Sequence, residues 1–163
     1  MRHDKCRLPD GREVDPYYVL EFPDWVNVVA LTADKKIVLV KQYRHGIGEN
    51  LLGLPSGFID DNEPPLKAAQ RELAEETGYV SENWQELCQL SPNPANHNNI
   101  VHTYLALDCQ KNLMQNLDPS EEIEIVTQTI DQLKEMIQKK ELKNALYVSA
   151  LFYAFLELEL TRF

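Results

Sequence analysis

The chain reads as an α/β protein, a mixed sheet flanked by helices, and three stretches predict it. Residues 26–31 and 36–43 are rich in valine and isoleucine on either side of Thr32-Ala33-Asp34-Lys35, the pattern of two buried strands joined as a hairpin. Between Pro64-Pro65 and Gly78 lies a segment with a helix start and a helix stop. Proline costs nothing in a first turn whose N–H groups have no partner, and glycine suits a C-terminal cap. Further on, Ile123 and Ile125 alternate with Glu122 and Glu124 at the strand period, and Ile130, Leu133, Met136 and Ile137 then fall on one face of a helix.

Taken in order, residues 1–22 are polar and broken by Pro9, Gly11 and Pro16, an N-terminal β extension with a hairpin or two short strands and a strand candidate at 17–21. After the hairpin pair, Gly46, Gly48, Gly53 and Gly57 mark loops and short strands. Residues 84–90 form a strand or an irregular segment, and 91–99, with Pro92 and Pro94, a polar loop. A strand is expected over 100–107, a flexible polar loop over 110–121, a strand over 122–128 and helices over 130–139 and 144–160. The last helix is apolar on several sides, which suits the interior or a contact with another subunit.

A chain of 163 residues, 44% of them hydrophobic, supports one domain over 1–163 with its own core. No run of eighteen apolar residues occurs and the charged start has no apolar signal region, so a cytoplasmic protein with no membrane partner is expected. Cys6, Cys88 and Cys109 read as reduced structural thiols, and the four histidines form no zinc-spaced cluster with them. A formal net charge of −10 argues against a nucleic-acid polymer as partner. A small phosphorylated ligand held by metal ions and one or two arginines is compatible with it.

On the helix before Gly78, Glu72, Glu75 and Glu76 stand at i, i+3 and i+4, so their carboxylates share one face. Like charges at that spacing repel by roughly 0.2–0.5 kcal/mol per pair. The negative end of the helix dipole disfavours an exposed acid by roughly 0.3–1 kcal/mol more. Arg71 offsets part of this. Two readings stand at this level: a solvated acidic face, or a site for a hard divalent cation, which with oxygen-only ligands would be magnesium or manganese and not zinc.

The wider spacing separates them. Gly57, five residues, Glu63, seven residues, then Arg71-Glu72-Leu73-Ala74-Glu75-Glu76-Thr77-Gly78-Tyr79 resembles the Nudix box over residues 57–79, with every fixed position filled. The resemblance implies an α/β/α sandwich and a loop–helix–loop that binds magnesium, with manganese as a substitute. It implies hydrolysis of a nucleoside diphosphate linked to another group. Glu72, Glu75 and Glu76 would be the metal ligands, with the backbone carbonyl of Ser56 completing the shell and Gly57 allowing a tight turn. Arg71 cannot bind metal and would orient a carboxylate through a bidentate contact. Glu63 reads as support for the loop or as a helix cap. A general base often lies outside the box in this family. Here Asp118-Pro119-Ser120-Glu121-Glu122-Ile123-Glu124 resembles the acidic loop before a strand in ADP-sugar pyrophosphatases, so Glu121 is the first candidate and Glu122 the second.

Other features resemble the ADP-ribose and sugar-nucleotide branch: the N-terminal extension, Val40-Lys41-Gln42-Tyr43-Arg44, the loop with Pro92 and Pro94, and the segment from Asn144 to Leu151. Arg44 would contact a phosphate or ribose, or end in a salt bridge. Trp25 would stack on a base, or belong to the core or a dimer interface. Two departures matter. Many ADP-ribose enzymes resemble Glu-aliphatic-Pro-Ala-Gly before the box, whereas this chain reads Gly53-Leu54-Pro55-Ser56-Gly57, without the acid. The loop asparagines, Asn93, Asn96, Asn98 and Asn99, replace the usual Ser-Pro-Gly pattern and would bond sugar hydroxyls or serve turn geometry. The leading expectation is a homodimeric, magnesium-dependent hydrolase of a small-molecule nucleotide, a nucleoside diphosphate sugar such as ADP-ribose. Its rivals are a hydrolase of nucleoside triphosphates or dinucleoside polyphosphates, and a non-catalytic Nudix-like nucleotide sensor.

Overall fold

In the computed structural model, which describes residues 1–160, the chain opens with β1 (Arg2–Arg7) and β2 (Glu13–Val19), followed by β3 (Trp25–Thr32), β4 (Lys36–Arg44), β5 (Glu49–Gly53) and β6 (Ser56–Phe58). Helix α1 (Pro65–Thr77) leads to β7 (Tyr79–Val80), β8 (Asn83–Leu90), β9 (Val101–Lys111) and β10 (Ile123–Thr129), and α2 (Ile130–Gln138) and α3 (Ala145–Glu157) close the fold. Among the described residues, strands β1 and β2 pair with each other, and the other eight strands make one sheet. In that sheet β3 runs parallel to β9 while the other pairings are antiparallel, so it is mixed.

Alternation along the central strands builds the layers. Val26, Val28 and Ala30 of β3 and Val38 of β4 pack with Ala68, Ala69 and Leu73 of α1 on one face. Val29 and Leu31, with Ile37 and Leu39, pack with Leu133 of α2 and Leu151 and Phe155 of α3 on the other. With side chains pointing to opposite faces at a period of two, the Val/Ile runs are the mark of strands buried on both sides. The result is the α/β/α sandwich. Helix α2 starts on a capping box, Thr129 accepting from the Gln132 N–H while the Gln132 side chain accepts from the Thr129 N–H.

The hairpin of β3 and β4 stays paired only near its turn, through Ala30 with Val38 and Leu31 with Ile37. Beyond that the strands splay. β6 takes up Trp25 to Asn27 of β3, and β5 takes up Val40 to Arg44 of β4. The wedge between them carries Ser56 and Gly57 into the middle of the sheet end, directly ahead of α1. That splay is what opens a cleft.

Two expectations are corrected. The N-terminal strands lie at 2–7 and 13–19, so the candidate at 17–21 covers only the end of β2. Residues 20–22 bond instead to the 91–99 loop, Leu20 N–H to Asn96 O at 2.7 Å and Phe22 N–H to Asn98 Oδ1 at 3.1 Å. Residues 110–111 belong to β9, and the rest of the 110–121 segment is tied down: the N–H groups of Asn112 and Leu113 donate to Gly78 O, and that of Asn116 to Glu75 O. These bonds satisfy carbonyls that the end of α1 would otherwise leave without partners.

Candidate active site

The end of α1 sets the geometry. Gly78 adopts φ 73° and its N–H donates to Ala74 O, a left-handed cap. A side chain there would also collide, since a Cβ would lie 2.2 Å from Leu113 O. The last turn of α1 is thus held under the 112–116 segment, and Gln115 Nε2 adds a bond to Glu76 O at 2.7 Å.

Arg71 uses all five of its N–H donors. Nε and Nη2 grip the two oxygens of Glu63 at 3.0 and 2.9 Å, Nη1 donates to Glu72 Oε1 at 2.8 Å and Glu75 Oε2 at 3.2 Å, and Nη2 also reaches Phe58 O at 3.0 Å. The bidentate contact is therefore with Glu63. Glu63 does not cap α1, whose N-cap is Pro64 without a side-chain bond. It accepts from the Asp60 N–H and from Arg71, and this pairing holds its carboxyl below the usual range.

Glu72 and Glu76 fare differently. Burial raises the pKa of Glu72 despite Arg71 beside it. Glu76 is 3% exposed, and burial, reinforced by the charges of Glu72 and Glu121, pushes it up to about 8. Its one hydrogen bond from the backbone comes from the Ser56 N–H at 2.9 Å. Gly57 lies in β6 and does not adopt a positive φ, so its place is explained by space and not by a turn. A Cβ there would sit 2.0 Å from Glu72 Oε1.

These groups share one cleft of about 610 Å³. Trp25, Arg44, Ser56, Arg71, Glu72, Glu75, Glu76 and Glu121 all line it. Glu122 does not: it lies on a separate groove with Lys41, Tyr43 and Asn50, because it directly precedes β10 on the opposite side of Glu121. Glu121 ends a tight turn, its N–H donating to Asp118 O and its Oε2 accepting from the Asp118 N–H. Trp25 sits at the rim, edge-on to Phe58 with ring centroids 4.6 Å apart.

As the side chains stand, no three His, Cys, Asp or Glu groups among the described residues are gathered tightly enough to hold a metal ion. Arg71 draws Glu72 and Glu75 to itself, and Glu76 faces the Ser56 N–H. The residues nevertheless fit a hard divalent cation. Their donors are all oxygen. Among the described residues, Asp60, Glu72, Glu75, Glu76, Asp118 and Glu121 line the cleft, and Arg44 and Arg71 are its cations. Gly57 leaves open the space next to the Glu72 carboxylate.

Sequence reasoning missed Gln42 and Tyr147. Gln42 lies two residues before Arg44 on β4, hence on the same face, a strand-period signal available in the sequence. Tyr147, on α3, is buried, and its hydroxyl lies 2.9 Å from Ser56 Oγ and accepts from Arg44 Nη2 at 3.4 Å. Its ring also fills the space beside Gly53, where a Cβ would lie 2.4 Å from it. A side chain at the position where the acid is missing would have to displace the Tyr147 ring.

Residues 22–149 match the family model described as NUDIX domain. A methanol dehydrogenase activator from Bacillus methanolicus is 31% identical over 154 residues, covering 94% of this chain and 83% of the relative. An ADP-ribose pyrophosphatase from Bacillus subtilis (strain 168) is 28% identical over 151 residues, covering 92% and 81%. Among solved structures, one described as a crystal structure of ADP compounds hydrolase matches with a TM-score of 0.80 at 24% identity, over 95% of this chain and 83% of that one, a likeness of fold. With most of its length matched and its 57–79 motif complete, the chain belongs to the Nudix family.

Proposed function

We propose that the chain is a divalent-cation-dependent hydrolase that splits the pyrophosphate of a nucleoside diphosphate sugar, ADP-ribose or a similar compound, into a nucleoside monophosphate and a sugar phosphate. The observation that carries this is that Gly57, Arg71, Glu72, Glu75 and Glu76 of the Nudix box line one cleft together with Arg44 and Glu121, in a chain whose Bacillus subtilis relative is named an ADP-ribose pyrophosphatase. Glu72, Glu75 and Glu76, with the Ser56 carbonyl, would hold magnesium, or manganese in its place. Such an ion would neutralise charge on the phosphate oxygens and lower the pKa of a bound water. Glu121 takes the proton of the attacking water at a carboxylate oxygen. The water oxygen bonds to phosphorus, the bridging P–O bond breaks, and its electron pair leaves with the departing phosphate. Arg44 donates to the phosphate oxygens, and Arg71 fixes Glu72 and Glu75.

Purified protein with magnesium and ADP-ribose should release AMP and ribose 5-phosphate in equal amounts, and a chelator should abolish the release. Rapid cleavage of triphosphates with inert sugar nucleotides would overturn the substrate class. Binding of ADP-ribose without turnover of any pyrophosphate would favour a sensor. A homodimer is also proposed, supported by the exposed Phe152 and Leu156 on α3. A monomer mass by solution scattering would refute it. No helix among the described residues is long and apolar enough to cross a membrane, and a cytoplasmic location is part of the same proposal.

A further inference from the structure

The segment that carries Glu121 is fastened at its base by one side chain. Gln115 Nε2 donates to Glu76 O at 2.7 Å and to Ile123 O at 3.3 Å. The first acceptor lies in the last turn of α1 and the second in the first residue of β10. Residues 115 and 123 therefore meet, and 116–122 form a surface loop closed at its base. Its backbone is tied to α1 as well, by the Asn116 N–H to Glu75 O at 2.9 Å. Within the loop, the Asp118 N–H donates to Glu121 Oε2 at 3.1 Å and the Glu121 N–H to Asp118 O at 2.9 Å, so the tip is a small unit of its own. Asn116, Asp118, Ser120 and Glu121 all line the charged cleft, and the charge of Glu121 bears on Glu72 and Glu76.

We propose that Gln115 is a positioning residue for the hydrolysis: it clasps the 116–122 loop to the end of α1 and so sets where the Glu121 carboxylate stands relative to Glu72, Glu75 and Glu76. The proposal rests on the reading of Glu121 as the group that takes the proton of the attacking water. Glutamine suits the task because its amide nitrogen carries two N–H groups, one for each carbonyl. Glu76 O is one of the carbonyls that a helix end leaves without an intrahelical partner, so accepting this bond costs α1 nothing. Glu76 is thus held twice, at its carboxylate by the Ser56 N–H and at its carbonyl by Gln115. The residue whose side chain enters the cleft is also the anchor of the loop that faces it. Such an anchor matters because a misplacement of about 1 Å in a reacting group can cost about a hundredfold in rate.

The test opens the clasp and leaves the rest of the loop intact. Gln115→Met keeps the length and loses both donors, while Gln115→Glu sets an acceptor against two carbonyl oxygens. In metal-free protein, the amide order parameters over 117–122 should fall below about 0.6 in both variants, with those of α1 and β10 unchanged. With magnesium and ADP-ribose, Gln115→Met should lower kcat about tenfold and leave KM as it is. Manganese titrated by electron paramagnetic resonance should bind the variant and the wild type equally. A Glu121→Gln background separates positioning from scaffolding: there, adding Gln115→Met should change kcat by less than about twofold. Order parameters unchanged in both variants, two substitutions whose effects on kcat multiply, or manganese binding weakened as much as kcat would each overturn the role of Gln115. Wild-type protein that cleaves no pyrophosphate would instead overturn the hydrolase reading on which it rests.

Discussion

Glu63 and Glu76 belong to the same motif, one just before α1 and the other in its last turn, and the fold treats them in opposite ways. Glu63 receives both forks of Arg71 and a backbone N–H, and is held ionised below its usual range. Glu76 is more deeply buried, has one backbone donor, and faces the charges of Glu72 and Glu121. The first carboxylate is satisfied by the chain, whereas the second is left short of positive charge. On the proposed function, the cation would supply the charge that Glu76 lacks, whereas Glu63 needs none from outside.

The strongest way to break the contrast is Glu76→Gln. Shape and the acceptor for the Ser56 N–H remain, while the charge goes. Turnover should fall by about a hundredfold or more, with the fold retained by circular dichroism. Stability gives an independent reading. A carboxyl raised from 4.5 to about 8 on folding contributes stability that is full below pH 4.5 and lost as pH rises through about 8. Metal-free protein should therefore lose melting temperature across that window, Glu76→Gln should flatten the loss, and magnesium should oppose it. For Glu63 the sign reverses: its pKa is depressed, so its contribution is present above pH 4.5 and fades in acid, and Glu63→Gln should remove only that acid-side slope. Identical pH–stability curves for the two variants would end the distinction.

Next in size is Arg71→Lys. Lysine offers a point charge in place of a five-donor fork, so Glu63 loses its bidentate partner and Glu72 and Glu75 lose their shared anchor. Stability should drop by about 1–3 kcal/mol, and activity about tenfold, measured by urea unfolding and steady-state assay. Gly57→Ala sharpens the other half. Its Cβ must displace the end of the Glu72 side chain, which can rotate, so the melting point should move little while turnover drops several-fold. A melting-point loss as large as that of Arg71→Lys would mean that Glu72 belongs to the scaffold.

How much of this was legible beforehand follows from the range of each signal. The strands and helices of the sandwich are written in local periodicity, and α1 in its prolines and glycine, so both were readable. Glu72, Glu75 and Glu76 stand at i, i+3 and i+4 on one helix, and their shared face follows from spacing alone. What the sequence could not show was long-range. Whether Glu121 or Glu122 enters the cleft depends on the turn that starts at Asp118, where adjacent residues face opposite ways. Gly57 looked like a turn residue because its neighbour in space, Glu72, is fifteen positions on. The loop over 112–116 looked flexible because its partners are backbone carbonyls at the end of α1, which no composition reveals.

Tyr147 is the extreme of that long-range class and carries the smallest expected effect. It comes from α3, on the face of the sheet opposite α1, and its hydroxyl touches Ser56 and Arg44 at once. Ser56 in turn donates its N–H to Glu76, so the hydroxyl supports the poorly satisfied carboxylate from behind. Tyr147→Phe keeps the ring that packs at Gly53 and deletes only these contacts. Stability should fall by about 1 kcal/mol. If the tyrosine positions Arg44 for the phosphates, KM should rise a few-fold with kcat nearly kept. If it acts through Ser56 on Glu76, kcat should fall while KM holds. A variant unchanged in both parameters would show that the hydroxyl contributes nothing to the site, and would confine the role of Tyr147 to packing.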